Sequence, residues 1–533
     1  MKLNLIPPKI AEDEKSPLVL QLSSLIEQQA DVIHKQAEQI QQLKDEIARL
    51  KNQPPRPKIQ PSSLEKKKKN KSKKPKGKRA GSEKRHKTAQ LQIHKDQPIE
   101  PEHIPDGSEF KYYKSFVVQD LKLEAHNTRY RLKAYKAPDG SYVVGKLPAD
   151  LNGGHYGPTL MRFALYQYYH CHVTQPLLLE QLHELDIDIS KGKLSNILIE
   201  NKERFHREKD HILAVGLQVS SYINVDDTGA RHKGKNGYCT HIGNECFSWF
   251  ESTESKSRIN FLKLMRAGHS DFVINMDAIC YMQSNKLPQK PLEAIIENQR
   301  MIFANDAQWD AFLTANGIVN ARHVQIATEG VLIGTIIEHG ISKHLVILSD
   351  DAGQFNVLLH ALCWIHANRA IDKIMAFTDQ AKKDLDTVKD QIWLLYEGLK
   401  NYKQNPRAKE KKRLDKMFDT IFSSKTASAT LNTVLKRIYQ NKSELLLVLE
   451  RPDIPLHNNG AEREIREYVK KRKISGSTRS ETGRRCRDTF TSLKKTCRKL
   501  ELSFWQYLKD RIENIGFIPD LSELIREQAL KPG

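Results

Sequence analysis

The stretch SSYINVDD, residues 220–227, decides the fold class that this sequence predicts. Its β-branched and aromatic residues are typical of a strand, and the strand ends in the acids Asp226 and Asp227. A second apolar stretch, KHLVILSDD at residues 343–351, also ends in acids, Asp350 and Asp351. Two predicted strands therefore carry carboxylates at the same end.

The residues between these strands include a predicted hairpin. GYCTHIGNECFSWFES, residues 237–252, gives strands Tyr238–Ile242 and Glu245–Glu251 about a turn at residues 243–244. A strand, a hairpin and another strand, with an aspartate ending the first and the last, form the skeleton of a ribonuclease-H-like sheet. The first and last strands of such a sheet lie side by side, so their terminal carboxylates are expected to meet. Taken singly, strand-end aspartates are also common as helix caps or turn formers.

A third carboxylate lies in HNNGAEREIREYVKKRK, residues 457–473, where glutamates are crowded by cations. One interpretation is a surface helix with ordinary i,i+4 ion pairs. The other is a metal-binding carboxylate, Glu462, facing a polyanion held by the arginines. Two aspartates and a helix-borne glutamate can hold two Mg²⁺ ions about 4 Å apart. Carboxylate oxygens suit Mg²⁺, whereas His and Cys would favour zinc.

Positive charge is concentrated in two segments. The formal net charge is +21, and residues 51–87 hold 16 Lys and Arg against 2 Asp and Glu. Residues 463–499 hold 14 against 4. This concentration predicts a polyanionic partner, nucleic acid first. No apolar run approaches the roughly 20 residues of a membrane span, and the N-terminus lacks the apolar core of a signal peptide. Seven scattered cysteines without a CxxC pair indicate a reducing, cytosolic compartment.

The N-terminal residues predict a coiled coil. Isoleucine or valine recurs every seven residues from Val19 to Ile47, and Leu22, Leu43 and Leu50 share the second heptad position with two glutamines. Isoleucine at a with leucine at d favours a parallel homodimer. The alternative is a single amphipathic helix packed on its own domain. The lysine-rich residues 53–100 that follow predict a disordered cationic arm for the DNA backbone.

Several motifs together resemble those of a known family. DDTG, SDDAGQFN, CWIHANR and NNGAEREIR, with the following GSTRSETGRR, are similar to the landmark motifs of DDE transposases of the insertion-sequence-66 family. The resemblance covers the zipper, the basic linker and roughly residues 150–510. It implies a ribonuclease-H-like core that cleaves element ends and transfers strands, using Mg²⁺ or, in its place, Mn²⁺.

The resemblance also implies site residues. The catalytic and metal-binding carboxylates would be Asp226, Asp350 and Glu462, with Asp351 the rival of Asp350 and Asp277 a weaker alternative. Phosphate-binding cations would be Arg463, Arg466, Lys470, Lys471, Arg472, Lys473, Arg484 and Arg485. Supporting residues near the site would be Asp351, Cys363, His366, Asn458 and Asn459. Zinc held by His360, Cys363 and His366 is the less favoured interpretation of CWIHANR.

One departure concerns a cysteine-pair zinc module that the family usually carries before the helical segment. Residues 1–170 contain no cysteine, so the β module predicted from YKSFVVQDLKL and SYVVGKLP must fold without zinc. Trp393 and Tyr396, in the helical region before Glu462, are interpreted as core residues rather than base-stacking platforms.

The predicted division of the chain follows from these features. It comprises a coiled coil (1–52), a basic linker (53–100), a zinc-free β module (101–155), a helical region that could be a helix-turn-helix (156–215), a ribonuclease-H-like core (216–370) with an inserted helical lobe (about 266–343), an all-helical insertion (371–450), the glutamate helix with a basic C-terminal part (451–512), and a tail (513–533). The expected partners are double-stranded DNA and a second copy of the chain, with accessory element-encoded proteins as further candidates. The expected location is the bacterial nucleoid, away from any membrane. The alternatives are a transposase-derived DNA-binding scaffold or repressor without catalysis, and a nuclease without strand transfer.

Overall fold

The computed structural model describes residues 91–148, 154–376 and 378–531, with scattered positions between 16 and 36. These residues form an α/β protein, in which helices surround a five-stranded mixed sheet and two small two-stranded sheets lie apart from it. The predicted α/β class is confirmed. Only scattered positions of the predicted coiled coil are described, and most of the predicted basic linker lies outside the described residues.

The segment before the central sheet is exposed up to residue 148 and helical after residue 154. Its one described hairpin pairs β1 (Ala134–Lys136) with β2 (Tyr142–Val144). SYVVGKLP contains β2, whereas YKSFVVQDLKL contains no strand. The helices that follow are α1 (Pro158–Leu165), α2 (Gln175–Glu184), α3 (Lys191–Ile199) and α4 (Glu203–Val219), with a π-helical turn (Tyr166–His170) after α1.

The first three strands of the central sheet form an antiparallel meander of β3 (Tyr222–Gly229), β4 (Tyr238–Gly243) and β5 (Ser248–Thr253). β5 begins at Ser248, later than the sequence predicts, because the turn is longer. The Asn244 side-chain oxygen accepts a hydrogen bond from the Cys246 N–H at 2.9 Å, and the Asn244 N–H donates to the Phe247 carbonyl at 3.1 Å. A Cβ at Gly243 would lie 2.4 Å from that carbonyl oxygen, so this turn requires glycine.

A mainly helical unit, here called the inserted lobe, occupies residues 258–339 between β5 and the next sheet strand. Its small two-stranded antiparallel sheet pairs β6 (Phe272–Val273) with β7 (Ile302–Phe303). Its helices are α5 (Arg258–Met265), α6 (Met276–Ser284), α7 (Gln289–Glu297), α8 (Asp306–Ala315) and α9 (Ala321–Glu338). α9 is buried over most of its length and packs on α5, α6 and β6. Asp277 lies in the first turn of α6, so it begins a helix and does not end a strand.

The sheet is completed by β8 (Val346–Ser349) and β9 (Leu359–Leu362), and α10 (Trp364–Asp372) begins just after β9. The strand order is β5-β4-β3-β8-β9. β8 is parallel to β3, and β9 is parallel to β8. Carboxyl ends of parallel neighbours lie at the same edge of a sheet, so residues that follow β8 lie near the second half of β3.

The helical insertion after α10 consists of four helices, and its predicted apolar face is buried. Leu385, Val388, Ile392, Leu395 and Leu399 are each at most 6% exposed. They share a core with Trp364 of α10 and with Val346 and Leu348 of β8, which attaches the insertion to the sheet. The helices are α11 (Asp379–Gln404), α12 (Ala408–Phe422), α13 (Ala429–Gln440) and α14 (Lys442–Leu445).

Four helices close the chain: α15 (Asn459–Ser475), α16 (Glu481–Lys499), α17 (Phe504–Glu513) and α18 (Leu521–Ala529). α15 packs on β3 and β4, and α18 packs on α4. The last two helices, α17 and α18, are joined to α4 through a buried ion pair. In it Arg511 of α17 donates to both oxygens of Glu208 of α4 at 2.8 and 2.9 Å. Within the described residues, no helix has the length and apolar character needed to cross a bilayer.

β5 is an edge strand of the central sheet, and side chains of α16 cover its outer edge. The N–H groups of Ser248, Phe250 and Ser252 donate to Thr496 Oγ1 (3.1 Å), Ser492 Oγ (2.9 Å) and Asp488 Oδ2 (2.8 Å). These acceptors recur every four residues along the helix while the donors recur every two along the strand, so one helical turn matches two strand residues. A helix thus supplies the hydrogen bonds that another strand would otherwise make.

Asp488 gives folding a specific pH dependence. Burial first, and then the Glu251 carboxylate, raise the pKa of Asp488 from 3.8 to about 7. Between about pH 4 and pH 7 the Asp488 carboxyl is protonated in the folded chain and ionised in the unfolded chain. Asp488 therefore lowers the free energy of unfolding as pH rises through this range. We expect D488N to reduce that slope by up to about 1.4 kcal/mol per pH unit, measured by urea unfolding. D310N, at an exposed carboxylate of α8, should keep the wild-type slope, and an unchanged slope in D488N would contradict the assignment.

Candidate active site

The first two predicted carboxylates are brought together by the parallel pairing of β3 with β8. Asn224 lies opposite Leu348, so the same register continued by two residues sets Asp226 opposite Asp350. Asp226 is on β3, and Asp350 directly follows the last residue of β8. Two residues 124 apart in sequence therefore lie at one edge of the sheet.

Asp226 lies in an environment that opposes its ionisation. Burial first, and then the negative charge of Asp350, raise the pKa of Asp226 to about 8, and Asp227 and Glu462 add to the effect. The backbone N–H of Asp227 donates to Asp226 Oδ1 at 2.8 Å and partly offsets the shift. Mutual repulsion among clustered carboxylates is the condition that a bound divalent cation relieves.

Glu462 lies in the first turn of α15, with its side chain 13% exposed. Arg369 of α10 donates to Glu462 Oε1 at 3.2 Å, and Arg466 donates to Oε2 at 3.3 Å. His366 Nε2 lies 3.5 Å from Glu462 Oε1 and accepts a hydrogen bond from Arg369 at 2.9 Å. Burial and then Arg369 lower the pKa of His366, which keeps its imidazole neutral. CWIHANR thus supplies direct contacts to the glutamate.

Asn458 docks the start of the glutamate helix onto the sheet. Its side-chain amide donates to the Val225 carbonyl at 2.7 Å, and its side-chain oxygen accepts from Asn224 at 2.8 Å. Its backbone N–H donates to Cys363 Sγ at 3.2 Å. Asn458 is 1% exposed, and its side chain makes no capping bond to α15. Asn459, the first residue of α15, is half-buried. Asn458 therefore fixes Glu462 relative to β3 and α10.

The rival aspartates Asp350 and Asp351 differ in their surroundings. Asp350 Oδ1 accepts from the Ala352 N–H at 3.2 Å, and its charge acts on Asp226. Asp351 accepts from Arg437 of the helical insertion at 2.9 Å and from Asn441 at 3.4 Å. Asp351 therefore faces the C-terminal end of α13, whereas Asp350 faces the other carboxylates.

The three carboxylates suit hard cations by their donor type, but their oxygens do not all lie within 4.8 Å of one another. Within the described residues, that condition is met by His269, Asp271 and His339. Glu462 is the carboxylate held by cations, through Arg369 and Arg466. Asp226, Asp350 and Glu462 are half-buried, and the charges of Asp350 and Glu462 act on Asp226. This cluster of carboxylates supports a divalent-cation site composed only of oxygen donors.

The predicted phosphate-binding cations have different surroundings. Arg463, Arg466, Lys470, Lys473 and Arg485 are exposed. Arg472 donates to Thr228 Oγ1 at 3.3 Å and to the Gly229 carbonyl, while Arg484 pairs with Glu481 at 2.7 Å.

Lys471 is 3% exposed, unlike those cations. It donates to the Tyr168 carbonyl at 2.7 Å and lies over the Tyr168 ring. Burial first, and then Arg487, lower the pKa of Lys471 to about 7. The sequence places Lys471 among the phosphate-binding cations, but in the folded chain its ammonium group is inside the protein.

His360, Cys363 and His366, the residues considered for zinc, each contact other protein groups. His360 lies between Ser349 Oγ (2.8 Å) and Glu444 Oε1 (3.0 Å). Burial raises the pKa of Cys363 to about 11, so its thiol is protonated near neutral pH and accepts from the Asn458 N–H. His366 is directed towards Arg369 and Glu462.

Comparison with known proteins identifies the family of the chain. Residues 343–485 match the transposase IS66 family, a range that includes Asp350, Glu462 and the CWIHANR motif and leaves out Asp226. An uncharacterized protein, y4jO, of Sinorhizobium fredii (strain NBRC 101917 / NGR234) is 42% identical over 321 residues, which is 60% of this chain and 100% of the relative. The chain belongs to the IS66 family of transposases.

Sequence reasoning missed two contributors to the site. Arg369 binds Glu462, and Asn224 pairs with Asn458. A signal existed for each, because Arg369 is one turn after His366 on the same helix and Asn224 shares the face of β3 that carries Asp226.

The docking role of Asn458 gives a stability prediction. N458A leaves the Val225 carbonyl and the Asn224 amide without their partner in a buried environment, so we expect a loss of about 2 kcal/mol in the free energy of unfolding. Urea unfolding of N458A and N459A makes the comparison, because Asn459 is the neighbouring, half-buried amide. N459A should stay within about 0.5 kcal/mol of wild type, and equal losses in both variants would remove the special role of Asn458.

Proposed function

We propose that this protein is a DNA transposase whose ribonuclease-H-like domain cleaves the ends of an insertion sequence and joins them to target DNA. The observation that carries the proposal is the convergence of Asp226, Asp350 and Glu462 from β3, the end of β8 and α15. Membership in the IS66 family supports transposition as the setting.

The sheet order supports the ribonuclease-H-like part of the proposal. A strand, a hairpin and then a strand parallel to the first is the arrangement in which strand-end aspartates become neighbours. The inserted lobe and the helical insertion leave this order intact, because each begins and ends beside the sheet. Between them they account for most of the sequence that separates the three carboxylates.

The site residues have distinct proposed roles. Asp226, Asp350 and Glu462 would hold Mg²⁺, for which Mn²⁺ substitutes. Bound ions of this kind activate a water or a 3′-hydroxyl and stabilise the leaving oxygen in an in-line displacement. Asn458 holds α15 against the sheet, and Arg369 orients Glu462. Cleavage by water and joining by the 3′-hydroxyl involve no covalent bond between protein and DNA.

DNA binding is assigned to the exposed cations beside Glu462. Arg463, Arg466, Lys470 and Lys473 on α15, together with Arg485 at the start of α16, would contact phosphates, and arginine pairs with phosphate through two parallel hydrogen bonds. Lys471 is left out because it is buried. Arg472 and Arg484 are only half-exposed and bind protein groups, so they are secondary candidates.

The rest of the chain would bring element ends together. Residues 1–52 would form a parallel dimer, residues 53–100 a cationic arm on the DNA backbone, and residues 101–215 further DNA-binding regions. The core would comprise residues 216–370 and 451–512, with the helical insertion at 371–450 between them and a tail at 513–533. This assembly would act in the cytoplasm at the nucleoid, with accessory proteins of the element as possible partners.

Substitution of the carboxylates tests the proposal. We expect D226N, D350N and E462Q each to reduce Mg²⁺-dependent nicking and joining of element-end DNA by at least about 10³-fold, because each removes a ligand oxygen. D351N is the matched control, since it changes the neighbouring aspartate that pairs with Arg437, and it should keep most of the activity. DNA affinity, measured by electrophoretic mobility shift, should be kept in all four variants.

The outcomes separate three functions. Loss of activity with DNA binding intact supports the transposase. If D226N leaves every DNA transaction unchanged, a DNA-binding scaffold or repressor is the better description. Nicking without joining would point to a nuclease. Equal loss in D351N and D350N would contradict the assignment of Asp350 alone as the second ligand.

A further inference from the structure

We propose that His269, Asp271 and His339 form a binding site for a zinc-class transition-metal ion in the inserted lobe. One nitrogen or oxygen from each residue lies within 4.8 Å of the others. Within the described chain, this is the group of His, Cys, Asp and Glu side chains that meets that spacing. It is separate from the carboxylates of the candidate active site, and its existence does not depend on transposase activity.

The side chains of the site already face one another. His339 Nε2 lies 2.9 Å from both oxygens of the Asp271 carboxylate. The rings of His269 and His339 are stacked, with centroids 3.5 Å apart and planes within 10°. A ring nitrogen of each histidine lies within 4.8 Å of the other and of an Asp271 oxygen. Imidazole lone pairs lie in the ring plane, so binding one ion through both histidines requires the rings to turn out of this stack.

The three ligands come from three different elements, and each backbone is fixed. His269 follows α5 in a tight turn, where Gly268 has a φ of +93°. Asp271 directly precedes β6, and its carbonyl accepts from Arg266 at 2.8 Å and from Thr335 at 3.3 Å. His339 directly follows α9. A metal here would link the end of α5, the start of β6 and the end of α9.

The charge around Asp271 leaves its carboxylate available to a cation. The Arg266 guanidinium is directed to the Asp271 backbone carbonyl and lies over the Phe272 ring at 4.7 Å, so it does not pair with the carboxylate. In the described part of the chain, no Lys or Arg nitrogen lies within 4.0 Å of the Asp271 carboxylate. Its ion-pair partner is His339. A metal ion would replace the imidazole proton in this pair.

The donor set selects the class of metal. Two imidazole nitrogens and one carboxylate oxygen match Zn²⁺ and its neighbours Co²⁺ and Ni²⁺, whereas Mg²⁺ prefers oxygen donors alone. His269 is exposed, so a water molecule can complete a tetrahedral arrangement. The expected effect of binding is stabilisation of the inserted lobe, because three elements become linked through one ion.

Zinc titration of the full chain tests the site. Competition with a chromogenic zinc chelator, in excess Mg²⁺ to occupy oxygen-donor sites, should give one tight site per chain. H269Q and H339Q should each weaken it by at least about 100-fold, since each removes a direct ligand. H344Q is the matched control, because His344 is an exposed histidine five residues beyond His339 and should leave zinc binding unchanged.

Two further measurements make the result specific. Co²⁺ bound at this site should show visible d–d bands without the charge-transfer band of a thiolate, which separates it from binding at the seven free cysteines. Zn²⁺ should raise the Tm of wild type and H344Q by several degrees and leave that of H269Q unchanged. Since His269 is exposed, H269Q should fold normally, as circular dichroism would verify.

The proposal is overturned if wild type and H269Q bind zinc equally, or if the Co²⁺ spectrum is that of a thiolate site. Wild type that binds no zinc would also overturn it and would identify the cluster as a His339–Asp271 ion pair beside a stacked ring.

Discussion

The parallel pairing of β3 with β8 is the constraint on which the candidate active site depends. It forces Asp226 and Asp350 to the same edge of the sheet although a whole lobe separates them in sequence. Their repulsion in a buried environment raises the free energy of the ionised cluster, as the pKa of Asp226 records. When no cation is bound, a proton on Asp226 relieves that repulsion at neutral pH.

α15 connects this cluster with the cationic surface because different faces of one helix have different tasks. Asn458 at its start and Ile465 and Tyr468 farther along contact the sheet, and Tyr468 packs with Phe250 of β5. Glu462 faces α10 and the aspartates. The exposed cations lie on the remaining surface. A rotation of this helix about its axis would therefore displace the glutamate and the arginines together.

Patterns local in sequence predicted much of this arrangement, and contacts distant in sequence were the ones missed. Apolar runs ending in acids predicted β3 and β8, and the 3.6-residue rhythm from Leu385 to Leu399 predicted a helix face that is buried. The turn after β4 was misplaced because a side-chain hydrogen bond of Asn244 lengthens it. The sequence predicts Lys471 to be a surface cation, because Tyr168, which covers it, is distant in sequence.

The choice between Asp350 and Asp351 shows the same limit. Adjacent residues after a strand point in different directions, and only the position of Arg437 on the helical insertion shows which one is drawn away from the sheet. The family resemblance implies Asp350 as the second carboxylate, with Asp351 as its rival. The folded chain adds an independent electrostatic reason, since the charge of Asp350 acts on Asp226.

The helix that covers β5 has a consequence for assembly. An uncovered edge strand has free backbone N–H groups that can pair with an extended peptide, including the same strand of another molecule. Here Thr496, Ser492 and Asp488 already occupy those donors. These donors are therefore already bonded and are not available to pair with the same strand of another molecule.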